Sequence, residues 1–507
     1  MMPQLFPLSA VICAFCFTLS IILFFSREWS NQTKPLRLSN QDVEAIKTLL
    51  DHTDAIPAPS TEAPLFDPRT LSNFTPVRQT TIGKSVEDLC GAFPIGILRD
   101  LQPVLKTGRA VLSSRTRIQL QSVSACMRGD LLVMADVDTI VSGYQVIDVL
   151  ADLPKDFLLG NAQLRDYELQ QESSYNCTRL SDPLGTAHGW KLDKFKFLPQ
   201  VSRAWRMRPR KKWYVFYEDD TYIVWDNMFR MLAKLDPDLP LYFGSPSPGA
   251  SGTWMANGGP GYILSREAVR RLVQGDYSAD GAFVGSKLSQ RWEEQMTSDC
   301  YGDSVLGLAL HEDANTTLSG IFPMIQPHPL HGIPFSDRYW CQPVITMHKT
   351  LSKDMLSLRV WEESRREAHR PLLFADLADY LNLSQVPIRE DWDKSDFGGY
   401  RAPGEMPHRS FELCGRACRI EKDCLQYTYH LQECKFVSAM RLGQAMEPGV
   451  ENWRTEDEKE KKWTIDQKRY MAGWDLDGIQ RWMSGGGRDC PTAEWVQPSL
   501  ERIFRLA

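Results

Sequence analysis

The chain has 507 residues, of which 43% are hydrophobic and 24% are charged, and its formal net charge is -6. This length is more than one hydrophobic core usually serves, so we expect two or three folded units. Positive and negative side chains are mixed along the sequence, which excludes a broad basic face of the kind that binds nucleic acid.

Residues 5–25 form an apolar run without a charged side chain, preceded by a short tail of residues 1–4. At about 1.5 Å of rise per residue, a helix of this length spans about 30 Å, the thickness of the hydrocarbon core of a bilayer. The run is longer than the apolar region of most signal peptides, and no small-residue cleavage site follows it. The sequence therefore predicts a transmembrane anchor over residues 5–25 and a cytoplasmic tail over residues 1–4.

Glycosylation sequons and cysteines indicate where the rest of the chain lies. Five Asn-x-Ser/Thr sequons follow the predicted anchor: Asn31, Asn73, Asn176, Asn315 and Asn382. Such sequons are modified only in the secretory lumen, and the cysteines after the anchor form an even set that suits an oxidising compartment. We therefore expect a single-pass type II membrane protein with its bulk in the lumen. The sequence leaves open the pairing of six cysteines: Cys90, Cys126, Cys177, Cys300, Cys341 and Cys490.

Composition divides the predicted lumenal part into five regions. Residues 26–80 are polar and rich in proline, which predicts an extended stem. Residues 81–350 alternate short apolar runs with amphipathic stretches, the pattern of an α/β domain. We expect a linker over residues 351–386, a small cysteine-rich module over residues 387–455 and a helical extension over residues 456–507.

Two predicted strands of the α/β domain end in acidic residues. One buried apolar run precedes Asp136, and another precedes the triplet Glu218-Asp219-Asp220. Ligands of open α/β sheets bind beyond the carboxyl ends of the strands, so these carboxylates suggest one shared site. Carboxylates separated by one residue at a strand end can share a divalent cation and a nucleotide diphosphate. The alternative is an ordinary solvated acidic loop.

Three segments of the chain occur in the order seen in glycosyltransferase family 31. They are residues 213–222 (WYVFYEDDTY), residues 258–265 (GGPGYILS) and residues 299–303 (DCYGD). Over about residues 80–349, the chain resembles the branch that contains fringe and the core 1 β1,3-galactosyltransferases. The resemblance implies a GT-A fold, a UDP-sugar donor, a Mn²⁺ or other divalent ion, and inversion at the anomeric carbon.

The resemblance also assigns a metal site and a general base. Because Glu218 stands where many members have the first Asp of the triplet, the resemblance assigns the metal to Asp219, Asp220 and His348. His328 and His331 are alternatives to His348 in the neighbouring proline-rich sequence.

Asp303 matches the position of the base, which removes a proton from the acceptor hydroxyl in an inverting transfer. A helix N-cap is the structural alternative for Asp303. Asp299 is a second candidate for the base.

Further residues are expected to contact the donor: Asp136 near the base and ribose, Glu218, Lys194 near phosphate, Gly258 and Gly259 around the sugar, and Trp254 as a pocket wall. Structural alternatives stay open for several of them. The lysine could lie on an amphipathic surface helix, the glycines could form a tight turn, and the tryptophan could be a core side chain.

The cysteine-rich module resembles a PAN/apple module of α+β type. Its cysteines are spaced Cys414-x3-Cys418-x5-Cys424-x9-Cys434. A Cys-x3-Cys helix facing two later cysteines favours the nested pairing of Cys414 with Cys434 and of Cys418 with Cys424, one of three possible pairings. The module is either an acceptor-binding unit or a disulfide-stapled appendage.

Together with the predicted type II anchor, the resemblance implies a Golgi β1,3-glycosyltransferase that acts on a glycan or glycoprotein acceptor. Galactose transfer to O-linked GalNAc is the leading expectation. One alternative is transfer of GlcNAc, GalNAc or another hexose by the same chemistry. Another is a membrane-tethered glycan-binding protein without catalytic activity. The sequence gives no indication of the oligomeric state.

Overall fold

The computed structural model describes residues 66, 70–74, 85–169, 191–336, 338–367, 369–385, 388–393, 399–450, 462–485 and 488–502. The predicted tail and anchor, most of the stem, and the sequons at Asn31 and Asn176 lie outside these residues. Within the described part of the chain, no helix is long and apolar enough to cross a bilayer. The described residues all belong to one unit, Phe66–Ala507.

The described helices and strands are numbered here in chain order. The helices are α1 Val86–Leu89, α2 Arg117–Gln121, α3 Lys155–Gly160, α4 Phe197–Met207, α5 Trp225–Leu232, α6 Arg266–Leu272, α7 Lys287–Arg291, α8 Glu293–Ser298, α9 Gly302–Ala314, α10 Ser352–Arg365, α11 Phe374–Tyr380, α12 Phe411–Ile420 and α13 Leu476–Met483. The strands are β1 Leu101–Lys106, β2 Leu132–Ala135, β3 Thr139–Val141, β4 Tyr144–Asp148, β5 Trp213–Glu218, β6 Tyr222–Ile223, β7 Tyr242–Gly244, β8 Pro246–Pro248, β9 Trp254–Ala256, β10 Tyr262–Ser265, β11 Leu318–Gly320, β12 Ile325–Gln326, β13 Thr346–Met347, β14 Arg389–Glu390, β15 Trp392–Asp393, β16 Tyr400–Arg401, β17 Gln426–His430, β18 Glu433–Val437, β19 Gln444–Ala445 and β20 Met471–Trp474.

Eight strands form the central sheet in the order β11-β7-β10-β5-β1-β2-β4-β3. Its middle strands β5, β1, β2 and β4 run parallel, whereas β10 runs antiparallel to both of its neighbours. Parallel neighbours need crossover connections. Helix α2 lies between β1 and β2, and helices α3 and α4 lie between β4 and β5, whereas strand β3 lies between β2 and β4. The mixed α/β sheet fits the GT-A type of fold expected from the sequence.

Side chains of the central sheet alternate between two apolar cores. In β5, Trp213, Val215 and Tyr217 belong to the first core, whereas Tyr214 and Phe216 belong to the second. Successive side chains of a strand point to opposite faces of the sheet. A strand that is covered on both faces therefore reads as one continuous apolar run.

A second sheet, of three strands in the order β12-β13-β6, connects distant parts of the site. Strand β13 pairs antiparallel with β6, with Met347 opposite Tyr222, and pairs parallel with β12. Strand β6 begins just after the acidic triplet, and β13 directly precedes His348. The pairing of these two short strands therefore brings His348 to the triplet.

Residues 351–386 contain two packed helices, although the sequence led us to expect a linker. Helices α10 and α11 lie here, and Met355 and Phe374 are buried in the first core. Charged residues of α10 are also buried, and Arg359 pairs with Glu363 at 2.6 Å. The many charged residues of this segment led us to expect a solvated linker. In the structure, some positions on the buried face of α10 are occupied by paired charged side chains instead of apolar ones.

The end of the predicted stem packs on the α/β unit. Phe66 and Phe74 are buried in the first core, and the ring of Phe74 lies 5.3 Å from that of Phe93. The guanidinium of Arg230 donates a hydrogen bond of 2.7 Å to the carbonyl of Thr70. The folded unit therefore begins before residue 81, the boundary that composition had indicated.

The cysteine-rich module is an α+β unit with a five-stranded sheet in the order β14-β20-β17-β18-β16. Helix α12 packs against this sheet, with Phe411 5.2 Å from Tyr427 of β17. Strand β20 comes from beyond residue 455, so the sheet extends past the predicted module boundary. The expected helical extension thus supplies a strand as well as helix α13.

Disulfides staple both the module and the α/β unit. The module contains the Cys414–Cys434 and Cys418–Cys424 bonds, which is the nested pairing expected from the spacing. The structure also joins Cys90 to Cys126 and Cys341 to Cys490, and Cys300 is disulfide-bonded as well. The Cys341–Cys490 bond ties the segment after β20 to the segment before β13.

Candidate active site

The carboxyl ends of three parallel strands meet at one edge of the central sheet. Lys106 ends β1, Asp136 directly follows β2, and Glu218 ends β5. The register places Lys106 next to Glu218 on one side and next to Met134 on the other. This edge is where α/β sheets bind ligands, so the predicted shared site has the expected position in the fold.

Glu218, Asp220 and His348 form a cluster that could hold a metal ion. One ligand atom of each lies within 4.8 Å of the others. Nε2 of His348 is 3.4 Å from Oδ1 of Asp220 and 4.0 Å from Oε2 of Glu218. The amide of Thr350 donates a hydrogen bond of 2.8 Å to the carbonyl of Asp220, which holds the segment after His348 against the triplet.

Asp219, which the resemblance assigned to the metal, lies outside this cluster, and Glu218 takes its place. Oδ2 of Asp219 accepts hydrogen bonds from the hydroxyls of Thr107 at 2.7 Å and Thr116 at 2.9 Å. Glu218 and Asp220 therefore face His348 together, whereas Asp219 faces Thr107 and Thr116. The structure thus groups Glu218, in place of Asp219, with Asp220 and His348 as possible metal ligands.

Arg115 neutralises part of the acidic triplet. Its guanidinium lies 3.3 Å from Asp219 and 2.9 Å from Asp220. Burial raises the pKa of Asp219 to about 6, although Arg115 acts in the opposite direction. Burial also tends to raise the pKa of Asp220, but His348 and Arg115 outweigh it and hold that pKa below its usual value. Asp220 is therefore an anion at neutral pH.

A row of side chains with alternating charge extends from the cluster of Glu218, Asp220 and His348 to Asp136. Nζ of Lys106 lies 3.0 Å from Glu218 and also bonds Asp193. Nζ of Lys196 lies 3.9 Å from Asp193 and 2.9 Å from Asp136. Sequence reasoning did not single out Lys106 or Asp193. The signal available for Lys106 was its position as the last residue of an apolar run.

Gly258 and Gly259 let the backbone approach two functional side chains closely. A Cβ built on Gly259 would lie 2.1 Å from Cε1 and 2.4 Å from Nε2 of His348. A Cβ built on Gly258 would lie 2.6 Å from Phe197 and 3.3 Å from Oδ2 of Asp303. The glycine pair is therefore fixed by close packing against His348 and Asp303.

The donor atoms of the cluster fit a hard divalent cation. Two carboxylates and one imidazole offer the oxygen and nitrogen ligands that suit Mn²⁺. Within the described residues, the buried Oδ1 of Asp220 accepts no hydrogen bond. Adjacent ligands of an octahedral ion lie about 3 Å apart, and the 3.4 Å between Oδ1 of Asp220 and Nε2 of His348 is close to that.

Asp303 lies beside the glycine pair at the start of helix α9. Its Oδ2 accepts a hydrogen bond of 2.8 Å from the amide of Gly258, and its Oδ1 accepts one of 3.1 Å from the amide of Ser304. Desolvation raises the pKa of Asp303 to about 6, against the opposing effects of the Gly258 amide and the charge of Lys106. Helix α9 begins at Gly302, so Asp303 is its second residue and not its N-cap.

Asp299 and Lys194 hold the loop that precedes α9. The carboxylate of Asp299 accepts hydrogen bonds from the hydroxyl of Ser304 at 2.7 Å and the amide of Tyr301 at 2.9 Å. Nζ of Lys194 donates to the carbonyls of Thr297 at 2.9 Å and Asp299 at 2.7 Å, and burial lowers its pKa to about 8. Lys194 therefore fixes this loop, and the charge that had been expected near phosphate is engaged by backbone oxygens.

Other predicted residues have different positions. The carboxylate of Asp136 accepts a hydrogen bond of 3.1 Å from the amide of Arg109 and pairs with Lys196 as described. Trp254 lies on β9 and packs, half-buried, against the second core. His328 lies after β12, where burial, with the charges of Arg441 and Lys349, lowers its pKa to about 3.

Three predicted glycosylation sites lie within the described residues, and all three are exposed. Asn73 precedes the buried Phe74, Asn315 follows helix α9, and Asn382 follows helix α11. Asn315 and Asn382 have φ angles of 47° and 53°, the left-handed region that asparagine tolerates better than most residues. Their side chains are accessible for modification in a lumenal protein.

Residues 176–316 match a family model described as Fringe-like. The match includes Glu218, Asp220 and Asp303, whereas Asp136 and His348 lie outside it. Together with the mixed α/β fold, this match supports a glycosyltransferase at the level of the family.

A relative with a known activity matches a shorter stretch. Over 64 residues, the chain is 41% identical to glycoprotein-N-acetylgalactosamine 3-beta-galactosyltransferase 1 of Xenopus laevis. This stretch is 13% of the present chain and 18% of the relative. The matched part thus spans less than a fifth of the relative's length.

Proposed function

We propose that this protein is an inverting glycosyltransferase that transfers a hexose, with galactose the leading candidate, from a UDP-sugar to a glycan hydroxyl in β1,3 linkage. One observation carries the proposal. Glu218, Asp220 and His348 converge at the carboxyl edge of the sheet, and Asp303 lies next to them across the Gly258-Gly259 pair. The relative's name supports galactose as the sugar and an N-acetylgalactosamine glycan as the acceptor.

Glu218, Asp220 and His348 would hold a Mn²⁺ ion that neutralises charge on the departing diphosphate. Lys106 and Arg115 add positive charge beside these ligands, and Arg115 is half-exposed and could turn towards a bound diphosphate. Asp136, directly after β2, and its partner Lys196, directly before α4, are candidates for contacts with the nucleoside. In this arrangement the donor lies along the edge formed by the ends of β2, β1 and β5.

Asp303 would act as the general base of the transfer. Its carboxylate takes the proton of the acceptor hydroxyl while the hydroxyl oxygen attacks the anomeric carbon, and the bond from that carbon to the diphosphate oxygen breaks. UDP leaves with the electron pair of the broken bond. With a pKa of about 6, Asp303 is mostly ionised at neutral pH and still basic enough to accept a proton. No covalent intermediate on the protein is needed.

The membrane assignment is part of the same proposal. Exposed sequons and disulfides are features of proteins that fold in the secretory lumen. We expect a type II Golgi protein that residues 5–25 anchor in the membrane. Protease added to intact microsomes should leave the C-terminal bulk undigested, and digestion of that bulk would refute this topology.

Turnover separates the proposed enzyme from a glycan-binding protein. A secreted fragment of residues 60–507 should convert one UDP-sugar and one glycan acceptor from a panel, and chelation should abolish turnover until Mn²⁺ is added back. Transfer from UDP-GlcNAc or UDP-GalNAc instead of UDP-galactose would favour the alternative hexoses. Glycan binding without turnover of any donor would favour the non-catalytic alternative and refute the proposal.

Two variants test the division of roles. Asp220→Ala should weaken Mn²⁺-dependent UDP binding, because it removes a ligand. Asp303→Asn should leave that binding nearly unchanged, while turnover falls on the order of 10²- to 10⁴-fold. Near-normal turnover of folded Asp303→Asn would show that the base lies elsewhere, and Asp299 would then be the next residue to replace.

A further inference from the structure

The cysteine-rich module is joined to the α/β unit by a short backbone pairing. Phe335 and Met440 exchange two hydrogen bonds, of 2.8 and 3.0 Å. The amide of Gly443 donates one of 2.8 Å to the carbonyl of His331. Residues 440–443 of the module thus lie along residues 331–335, the segment that follows β12.

Arg441 fixes this pairing from the module side. Its side chain is buried, and Nη1 donates a hydrogen bond of 2.7 Å to the carbonyl of Gly332. Its amide donates to the side-chain oxygen of Gln426 at 2.9 Å, and its carbonyl accepts from Nε1 of Trp474 at 3.2 Å. Gln426 is on β17 and Trp474 is on β20, so Arg441 is attached to two adjacent strands of the module sheet.

The segment held by Arg441 follows strand β12, which contacts the proposed metal ligand His348. Gln326 ends β12, and its carbonyl accepts a hydrogen bond of 3.0 Å from the amide of His348. The side-chain oxygen of Gln326 accepts one of 3.2 Å from the amide of His328. Strand β12 is also the parallel partner of β13, the strand that directly precedes His348. The position of β12 therefore affects the position of the imidazole relative to Asp220.

We propose that Arg441 is a positioning residue for His348 and that the module serves as a brace of the active site. The metal part of this inference rests on the proposed function, because it takes His348 as a Mn²⁺ ligand. A module that only bound acceptor, or only added stability, would have no effect on metal affinity. Removal of partners that orient metal ligands typically costs 10- to 100-fold in metal affinity, and we expect the lower end of that range because Arg441 acts through a strand.

The test compares Arg441→Met and Arg441→Lys with the wild type, all as secreted fragments of residues 60–507. Arg401→Met is the matched control, because Arg401 is an exposed arginine of the same module on β16 that pairs with Glu405 at 3.7 Å. Hydrogen exchange measured without metal reports on the amides of residues 324–350, and calorimetry with Mn²⁺ and UDP reports on the metal site. Arg441→Lys keeps a charged donor and serves as the second variant if Arg441→Met does not fold.

Arg441→Met should speed exchange across residues 324–350 and weaken Mn²⁺ affinity about tenfold. Arg441→Lys should show smaller changes in exchange and in Mn²⁺ affinity than Arg441→Met. Arg401→Met should have the exchange rates and the Mn²⁺ affinity of the wild type. Unchanged exchange in the folded variants would overturn the proposal. Faster exchange together with wild-type Mn²⁺ affinity would also overturn it, because Arg441 would then hold residues 324–350 without affecting the metal site. If the wild type binds no Mn²⁺, the proposed function fails, and the exchange data still decide whether Arg441 holds β12 and β13.

Discussion

The substitution Gly259→Ala tests whether His348 is a metal ligand, through a contact that can be worked out from the structure. The added Cβ would lie 2.1, 2.4 and 2.5 Å from Cε1, Nε2 and Nδ1 of His348. Ordinary contacts between carbon atoms begin at about 3.5 Å. The imidazole would therefore have to retreat by about 1.4 Å, the difference between 3.5 Å and the 2.1 Å found at Cε1.

Such a displacement is large for metal coordination. Ligand distances in metal sites are held to within about 0.2 Å. We therefore expect Gly259→Ala to weaken Mn²⁺-dependent UDP binding by at least about 10- to 100-fold, with turnover falling in parallel. Calorimetry with UDP at several Mn²⁺ concentrations measures the binding, and initial rates measure the turnover.

Two other glycines serve as controls. Gly129→Ala should have no effect, because a Cβ on Gly129 meets nothing within 4 Å. Gly258→Ala should impair turnover more than metal affinity, because its Cβ would contact Phe197 and Asp303 rather than His348. If Gly259→Ala melts at the wild-type temperature and binds Mn²⁺ and UDP normally, His348 is not a ligand and the proposed site is wrong.

Three further predictions follow from other parts of the structure. Glu218→Gln should weaken Mn²⁺-dependent UDP binding, measured by calorimetry, at least tenfold, whereas Asp219→Asn should weaken it far less; the reverse order would restore Asp219 as the ligand. A secreted fragment of residues 81–507 should be less stable by about 3 to 6 kcal/mol than one of residues 60–507, because it lacks the buried Phe66 and Phe74; equal melting temperatures would contradict this. At saturating Mn²⁺, kcat/KM for the acceptor should fall as the pH drops below about 6, because protonation removes the base and the raised pKa of Asp303 lies there. Asp303→Asn should lack that inflection, and its persistence in the variant would assign it to another group.

Much of the fold and part of the site followed from local patterns. The run from Trp213 to Tyr217 is apolar because β5 is covered on both faces, so its strand character and its carboxyl end could be read directly. Ligand sites of α/β sheets lie at such ends, which located the acidic triplet. The cysteine spacing favoured the nested disulfides because a Cys-x3-Cys helix has both cysteines on one face.

Features that depend on packing between distant segments could not be predicted in the same way. The helices of residues 351–386 were concealed because their buried charges pair within α10, as Arg359 does with Glu363. The buried end of the stem was not predicted, because two phenylalanines in a proline-rich segment do not form a hydrophobic periodicity. A role for Lys106 in the site could not be predicted from its sequence neighbours, because its partners Asp193 and Glu218 come from segments far along the chain.

The sequence by itself determined that two carboxylates one residue apart end a buried strand and that a glycine pair and an aspartate follow in a known order. The tertiary structure decided which carboxylates point together, because Asp219 and Asp220 lie in a turn after β5, where strand alternation does not set the direction of a side chain. It placed Glu218 with Asp220 and turned Asp219 towards Thr107 and Thr116. It also brought His348 to the triplet, because the pairing of two-residue strands such as β6 and β13 depends on the packing of the whole domain around them.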